Sequence, residues 1–143
     1  MSAQIAIVAL GARTPVGLSA GSSAAAFRAG ISRIGRVQES DDEDAPEYRI
    51  AADAVLGRGL SSTAERIAAL GRSALGEVVA QLGTHFTARH VPVLMGLPEP
   101  RPGWDDDDQA QALAALSEVD GLRVAVEPLL LGHAAALEAL RRA

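Results

Sequence analysis

Few residues in this chain can do chemistry. The histidines are His85, His90 and His133, and there is no cysteine, which excludes disulfides, thiolate zinc sites and a thiol nucleophile. His133 opens the stretch HAAALEAL, residues 133–140, and at that position it could serve as a general base for Ser19, Ser22 or Thr14. No Ser-His-Asp spacing identifies a triad, which is recognised by geometry rather than by sequence position. His85 and His90 lie five apart in a polar connection, without the i, i+4 spacing or nearby carboxylate of a metal site, and read as surface histidines. Carboxylates come in runs. Glu39, Asp41, Asp42, Glu43, Asp44 and Glu47 crowd residues 37–47 beside Pro46, a self-repelling run expected as a solvated loop; calcium binding would need alternating ligands and a glycine in register. Asp105, Asp106, Asp107 and Asp108 precede a helical pattern, where opposing the positive end of the helix dipole is reason enough for them. No metal and no cofactor is expected.

The elements that must position these residues follow from the apolar pattern. Residues 5–10, IAIVAL, run without a helical period into Gly11 and predict a central strand buried on both faces. Pro15 and the extended bias it imposes on Thr14 then fix a turn that ends at Gly17. Residues 22–29 predict a short helix stopped by Gly30, and residues 48–56 a strand leading into a loop around Gly57 and Gly59. Residues 61–82 predict the clearest helix. Ser62 and Glu65 form a capping box, and Ile67, Leu70, Ala74, Leu75, Val78, Val79 and Leu82 recur at three- and four-residue intervals. Gly71 and Gly76 inside that helix imply a close packing partner, for which a broad sheet would serve. Residues 91–97 predict a second buried strand, residues 109–119 a helix, residues 122–126 a third strand, and residues 127–143 a loop followed by a helix whose first turn carries His133. Trp104, beside prolines, is expected as a lid over a core edge.

Length and composition set the bounds. A chain of 143 residues with 48% hydrophobic content supplies one domain, residues 1–143, with one core. A net charge of −5 with 13 scattered basic residues argues against a nucleic-acid partner. No apolar run reaches bilayer length and no basic segment with a long apolar core opens the chain, so no membrane partner and a cytoplasmic location are expected.

The turn GARTPVG, residues 11–17, admits two resemblances. The glycine-rich dinucleotide-binding turn needs a middle glycine where Thr14, Pro15 and Val16 stand, and an acidic residue about twenty positions later that is missing. The better match is to the opening of β-ketoacyl synthases and their thiolase-like relatives, in which a hydrophobic strand meets a Gly-x-x-Thr/Ser-Pro-x-Gly turn followed by a helix with a small-residue face. In that family a later short strand runs into a cysteine at a helix start, often Cys-Ala-Ser-Gly-Leu-x-Ala-Leu, and His133 occupies the matching position here. The resemblance implies the N-terminal half of the family fold: a layered α/β/α half-domain of the α/β class with a parallel or mixed sheet, the second strand beside the first. Thr14, Pro15 and Gly17 become substrate-binding candidates, and His133 an inactive residue at the nucleophile position. The implied partners are an acyl carrier protein or acyl-CoA, with either a homo-oligomer or a complementary ketosynthase half.

Imidazole cannot replace the thiolate in such chemistry. A helix N-terminus favours a thiolate and disfavours an imidazolium, and an N-acylated imidazole is too labile to wait for a second substrate. The resemblance therefore implies a truncated or degenerate ketosynthase-like protein of fatty-acid or polyketide metabolism that does not condense by itself. Two other classes stay open: an enzyme using His133 as general base, and a small binding module using its acidic surface.

Overall fold

The computed structural model describes residues 6–38, 46–56, 59–83 and 90–142. The acidic run 39–45, His85 and Gly57 lie outside the described residues. Helix α1, Ala20–Arg28, starts at the N-cap Ser19, whose hydroxyl accepts the amide of Ser22. Strands β1, Ile34–Gln38, and β2, Glu47–Ala51, form an antiparallel ribbon in which Arg36 faces Arg49 and Val37 faces Tyr48. Helix α2, Thr63–Leu82, begins at the expected capping box: Ser62 accepts the amide of Glu65 at 3.0 Å, and the Glu65 carboxylate accepts the amide of Ser62 at 3.0 Å. The amides of Ser62 and Ser61, both donated to that carboxylate, hold the Glu65 carboxyl below its ordinary value. Strand β3, His90–Gly96, helix α3, Asp106–Ala115, the short β4, Glu118–Val119, and β5, Leu122–Leu129, follow. A 3-10 turn, Gly132–Ala134, leads into α4, Ala135–Arg142.

The content is mixed α/β. Among the described residues, β3, β5 and β4 make one sheet in that order, with β3 parallel and β4 antiparallel to β5. The central strand is thus β5, and the expectation for residues 5–10 is corrected. Residues 6–10 form no strand; Ile7 is 75% and Val8 79% exposed. An apolar run is buried only if a partner edge meets it. Here the polar groups of Leu10 are taken by a side chain of α2 instead: Gln81 accepts its amide at 3.1 Å and donates to its carbonyl at 2.6 Å.

Two further boundaries differ for identifiable reasons. The helix expected over residues 109–119 stops at Ala115, because Asp120 (φ 50°) and Gly121 (φ 79°) take the left-handed conformations of a two-residue hairpin turn and draw Val119 into β4. Its start lies earlier, at Asp106, where Asp105 caps the amides of Asp107 and Asp108, both at 3.0 Å. The packing partner of Gly71 and Gly76 is the end of α3 and this hairpin rather than a broad sheet. A Cβ on Gly71 would stand 3.2 Å from a methyl of Leu116, and one on Gly76 2.8 Å from the Asp120 carboxylate.

The core gathers where α2, α3 and the ends of the sheet meet: Ala64, Leu97, Trp104 and Ala112, backed by Ile67, Met95, Leu113 and Leu130. Trp104 belongs to that core, being 1% exposed, and its indole N–H donates to the carbonyl of Pro98 at 3.2 Å. Among the described residues no helix is long and apolar enough to cross a membrane.

Candidate functional site

The turn after residue 10 is built by local hydrogen bonds and held from behind by α2. Thr14 and Gly17 exchange amide bonds at 2.9 and 3.2 Å, and the hydroxyls of Thr14 and Ser23 meet at 2.9 Å, which fastens the turn to α1. Gly17 must be glycine, because a Cβ there would lie 2.4 Å from the amide nitrogen of Ser23. Glu77 of α2 accepts the amide of Ala12 at 2.9 Å and that of Ala20 through both oxygens, at 3.0 and 2.9 Å. One carboxylate therefore fixes both ends of the turn. Thr14, Pro15 and Gly17 line a pocket of about 250 Å³ together with Arg33 and Asp53.

Asp53, which lines that pocket, is held by Arg13. Arg13 reaches both carboxylate oxygens, Nε to Oδ2 at 2.6 Å and Nη2 to Oδ1 at 3.1 Å, with side chains only 10% and 12% exposed. Asp53 also accepts the amides of Val55 and Leu56, each at 2.9 Å. The guanidinium, with those two amides, holds the Asp53 carboxyl far below the ordinary carboxylate range, and the carboxylate raises Arg13 in turn. Since the folded-state value lies below the unfolded one, the unfolded chain binds more protons once the medium is acidic. The pair's contribution is complete above the unfolded aspartate value, near pH 4, and is lost as pH falls below it. Denaturant midpoints measured from pH 6 down to pH 3 are expected to fall, and to fall less steeply in Asp53→Asn; equal acid limbs in the two proteins would mean that the pair does not form.

His133 sits elsewhere. Its backbone lies in the 3-10 turn between β5 and α4, and the neighbouring Gly132 lines a larger cleft, about 520 Å³, with Gly96, Leu97, Glu99 and Arg101. This cleft opens at the carboxyl ends of the parallel strands β3 and β5, where open α/β sheets bind ligands. Its wall is rigid: Arg101 and Trp104 exchange backbone bonds at 3.0 and 2.9 Å, and the Trp104 indole ties the same loop to Pro98. The two cavities share no lining residue, so Thr14 and the start of α4 do not line a common site.

The groups that shape these cavities, Arg13, Asp53, Glu77, Glu99 and Arg101, carry no motif. Arg13 and Asp53 are 40 positions apart, and neither neighbourhood signals the other. Glu77 is legible only in part: it is a charged residue on the side of α2 that also carries Ala74, Val78 and Gln81. Comparison with protein families, with curated proteins and with solved structures returns no match to the chain.

Proposed function

We propose that this chain is a ketosynthase-like half-domain that does not condense acyl units and works only when its uncovered surface meets a partner. The observation that carries the reading is the passage from β5 through the 3-10 turn into α4, which puts His133 at a strand-to-helix junction like the one where the resembling family holds its cysteine. The absence of any cysteine removes the thioester on which condensation depends. The turn of Thr14, Pro15 and Gly17 remains the substrate-binding candidate of this reading, with an acyl carrier protein or acyl-CoA as the acyl source. The three-layer thiolase-like arrangement belongs to the same proposal.

Uncovered surface supports the need for a partner. Phe27 at 84%, Val8 at 79% and Leu137 at 73% exposure are among the side chains left bare, as expected of half a fold.

The experiment incubates the purified chain with acyl-carrier and acyl-CoA donors. Intact-mass spectrometry is expected to find no acyl adduct and chromatography no 3-oxoacyl product; turnover would overturn the proposal. In His133→Cys, a thiol at this helix start is expected to react with alkylating agents faster than a free cysteine at neutral pH. A slow thiol would remove the analogy with the family's nucleophile.

A further inference from the structure

We infer that the cleft at the carboxyl ends of β3 and β5 binds a small zwitterion, an α-amino acid with an apolar side chain, whose ammonium meets Glu99 and whose carboxylate meets Arg101. The inference does not rest on the ketosynthase reading, because no residue of the Thr14 turn lines this cleft.

The segment Pro98-Glu99-Pro100-Arg101-Pro102 sets one charge of each sign between prolines. Each charged residue precedes a proline, which disfavours helical backbone there, and each proline has a fixed φ. The loop is therefore stiff before any ligand arrives. Its far end is closed by the paired backbone bonds of Arg101 and Trp104, at 3.0 and 2.9 Å, and its near end is tied by the indole bond to the Pro98 carbonyl at 3.2 Å. Trp104 is 1% exposed, so the core anchors the loop. A site held in this way loses little conformational freedom on binding.

Among the described residues, Glu99 and Arg101 are the only charged side chains that line the cleft. The Glu99 carboxylate stands beside the turn that follows β5, with Oε1 3.7 Å from where a Cβ on Gly132 would lie. The two charges do not meet each other: among the described residues, neither side chain makes an ion pair or a hydrogen bond. Opposite charges that share a cavity without neutralising one another present two recognition points. A simple anion would be drawn to Arg101 and repelled by Glu99, and a simple cation the reverse. A zwitterion satisfies both. The guanidinium fork takes both oxygens of a carboxylate at once, and a carboxylate accepts the N–H donors of an ammonium. The remaining side chains of the wall are those of Leu97, Pro98 and Pro100, so the rest of the ligand is apolar. The cleft, about 520 Å³, lies within the range of small-molecule sites, roughly 300–1,000 Å³.

The indole of Trp104 is the reporter for the test. It is the chain's only tryptophan, and its N–H donates to Pro98 in the cleft wall, so its single indole N–H resonance is expected to move when the cleft fills. L-leucine and L-phenylalanine are titrated into the full chain, and saturable shifts are expected with a dissociation constant of about 1 mM or tighter. Two analogues of leucine keep one charge each: 4-methylpentanoate lacks the ammonium and 3-methylbutylamine lacks the carboxylate. Both are expected to bind about fivefold more weakly than leucine or worse, the factor that one exposed ion pair can supply. In Glu99→Gln leucine is expected to lose its advantage over 4-methylpentanoate, and in Arg101→Gln its advantage over 3-methylbutylamine. Both residues are exposed, so the fold is expected to survive, and far-UV circular dichroism checks that it does. No saturable shift with either amino acid at about 10 mM would overturn the inference. So would an analogue that binds the native chain as tightly as leucine, which makes the cleft a site for a single charge, or preferences that stay unchanged in both variants. The acyl-adduct assays involve neither Glu99 nor Arg101, so the two proposals fail separately.

Discussion

Trp104→Ala is expected to lower the unfolding free energy by about 3–5 kcal/mol, the range for emptying a buried large aromatic site. The side chain is 1% exposed and sits in one cluster with Ala64, Leu97 and Ala112. Two of its neighbours, Ala64 and Ala112, are alanines, which cannot swing inward to fill the space that the indole leaves. The same residue also organises its loop, through the indole bond to Pro98 and the paired backbone bonds with Arg101. Small domains are stable by only about 5–15 kcal/mol, so this one change is expected to leave the chain largely unfolded or close to it. Trp104→Phe keeps most of the volume and gives up the indole hydrogen bond, a loss of about 1 kcal/mol from that bond. Urea unfolding followed by far-UV circular dichroism separates the two, and dichroism is the necessary probe because the only tryptophan is the residue removed. A Trp104→Ala midpoint within error of Trp104→Phe would mean that the indole is not the centre of the core.

Trp104 also marks how far the sequence could be read. Its prolines and glycine announce irregular backbone, which is what the Arg101–Trp104 turn is. Whether a lone indole covers a core edge or fills the core depends on what arrives from elsewhere, and local sequence is silent on that. Helix α2 was legible because its period, its capping box and its terminal Gly83 all agree within one segment. Strands β3 and β5 were legible for the same local reason. Asp120-Gly121 is a hairpin dipeptide by type, but the alanine-leucine pattern before it masked the turn and carried the expected helix on to residue 119. Residues 5–10 were misread because a six-residue apolar run specifies that burial is favourable but not what does the burying. Strand β1 escaped notice because its residues, Ile-Gly-Arg-Val-Gln, are exposed throughout and show no one-sided alternation of burial.

The candidate site divides in the same way. The turn itself is written locally: proline restricts Thr14 and Pro15, and glycine admits Ser23 beside Gly17. What holds the turn is long-range. Glu77 reaches Ala12 across 65 positions and Ala20 across 57, and Arg13 reaches Asp53 across 40. Such pairs follow from the packing of the segment against α2 and the ribbon, and no spacing rule contains them.

Gly11→Ala tests that packing most directly, and an effect of about 3 kcal/mol is expected, at the upper end of the usual range for overpacking. The added methyl would stand 2.0 Å from the carbonyl oxygen of Ala74 and 3.0 Å from a methyl of Val78. The oxygen belongs to the backbone in the middle of α2 and cannot yield as a flexible side chain could. The chain can respond by destabilising the whole fold or by lifting the turn off the helix, and the cheaper route sets the observed cost. Lifting requires breaking the Gln81 bonds to Leu10 and the Glu77 bonds to Ala12 and Ala20. Hydrogen bonds to a charged acceptor contribute about 1.5–3 kcal/mol each, so the two routes lie close together. Amide hydrogen exchange distinguishes them. Local lifting would speed exchange at Leu10, Ala12 and Ala20 by about tenfold or more while the amides in the middle of α2 keep their protection; global destabilisation would speed all of them together. Glu77→Gln is the companion variant. It retains one carbonyl oxygen for the two amides and loses the charge, so exchange at Ala12 and Ala20 is expected to quicken without any steric clash. Native stability and native exchange in Gly11→Ala would mean that the turn does not rest on α2, and the pocket it lines would then lose its fixed wall.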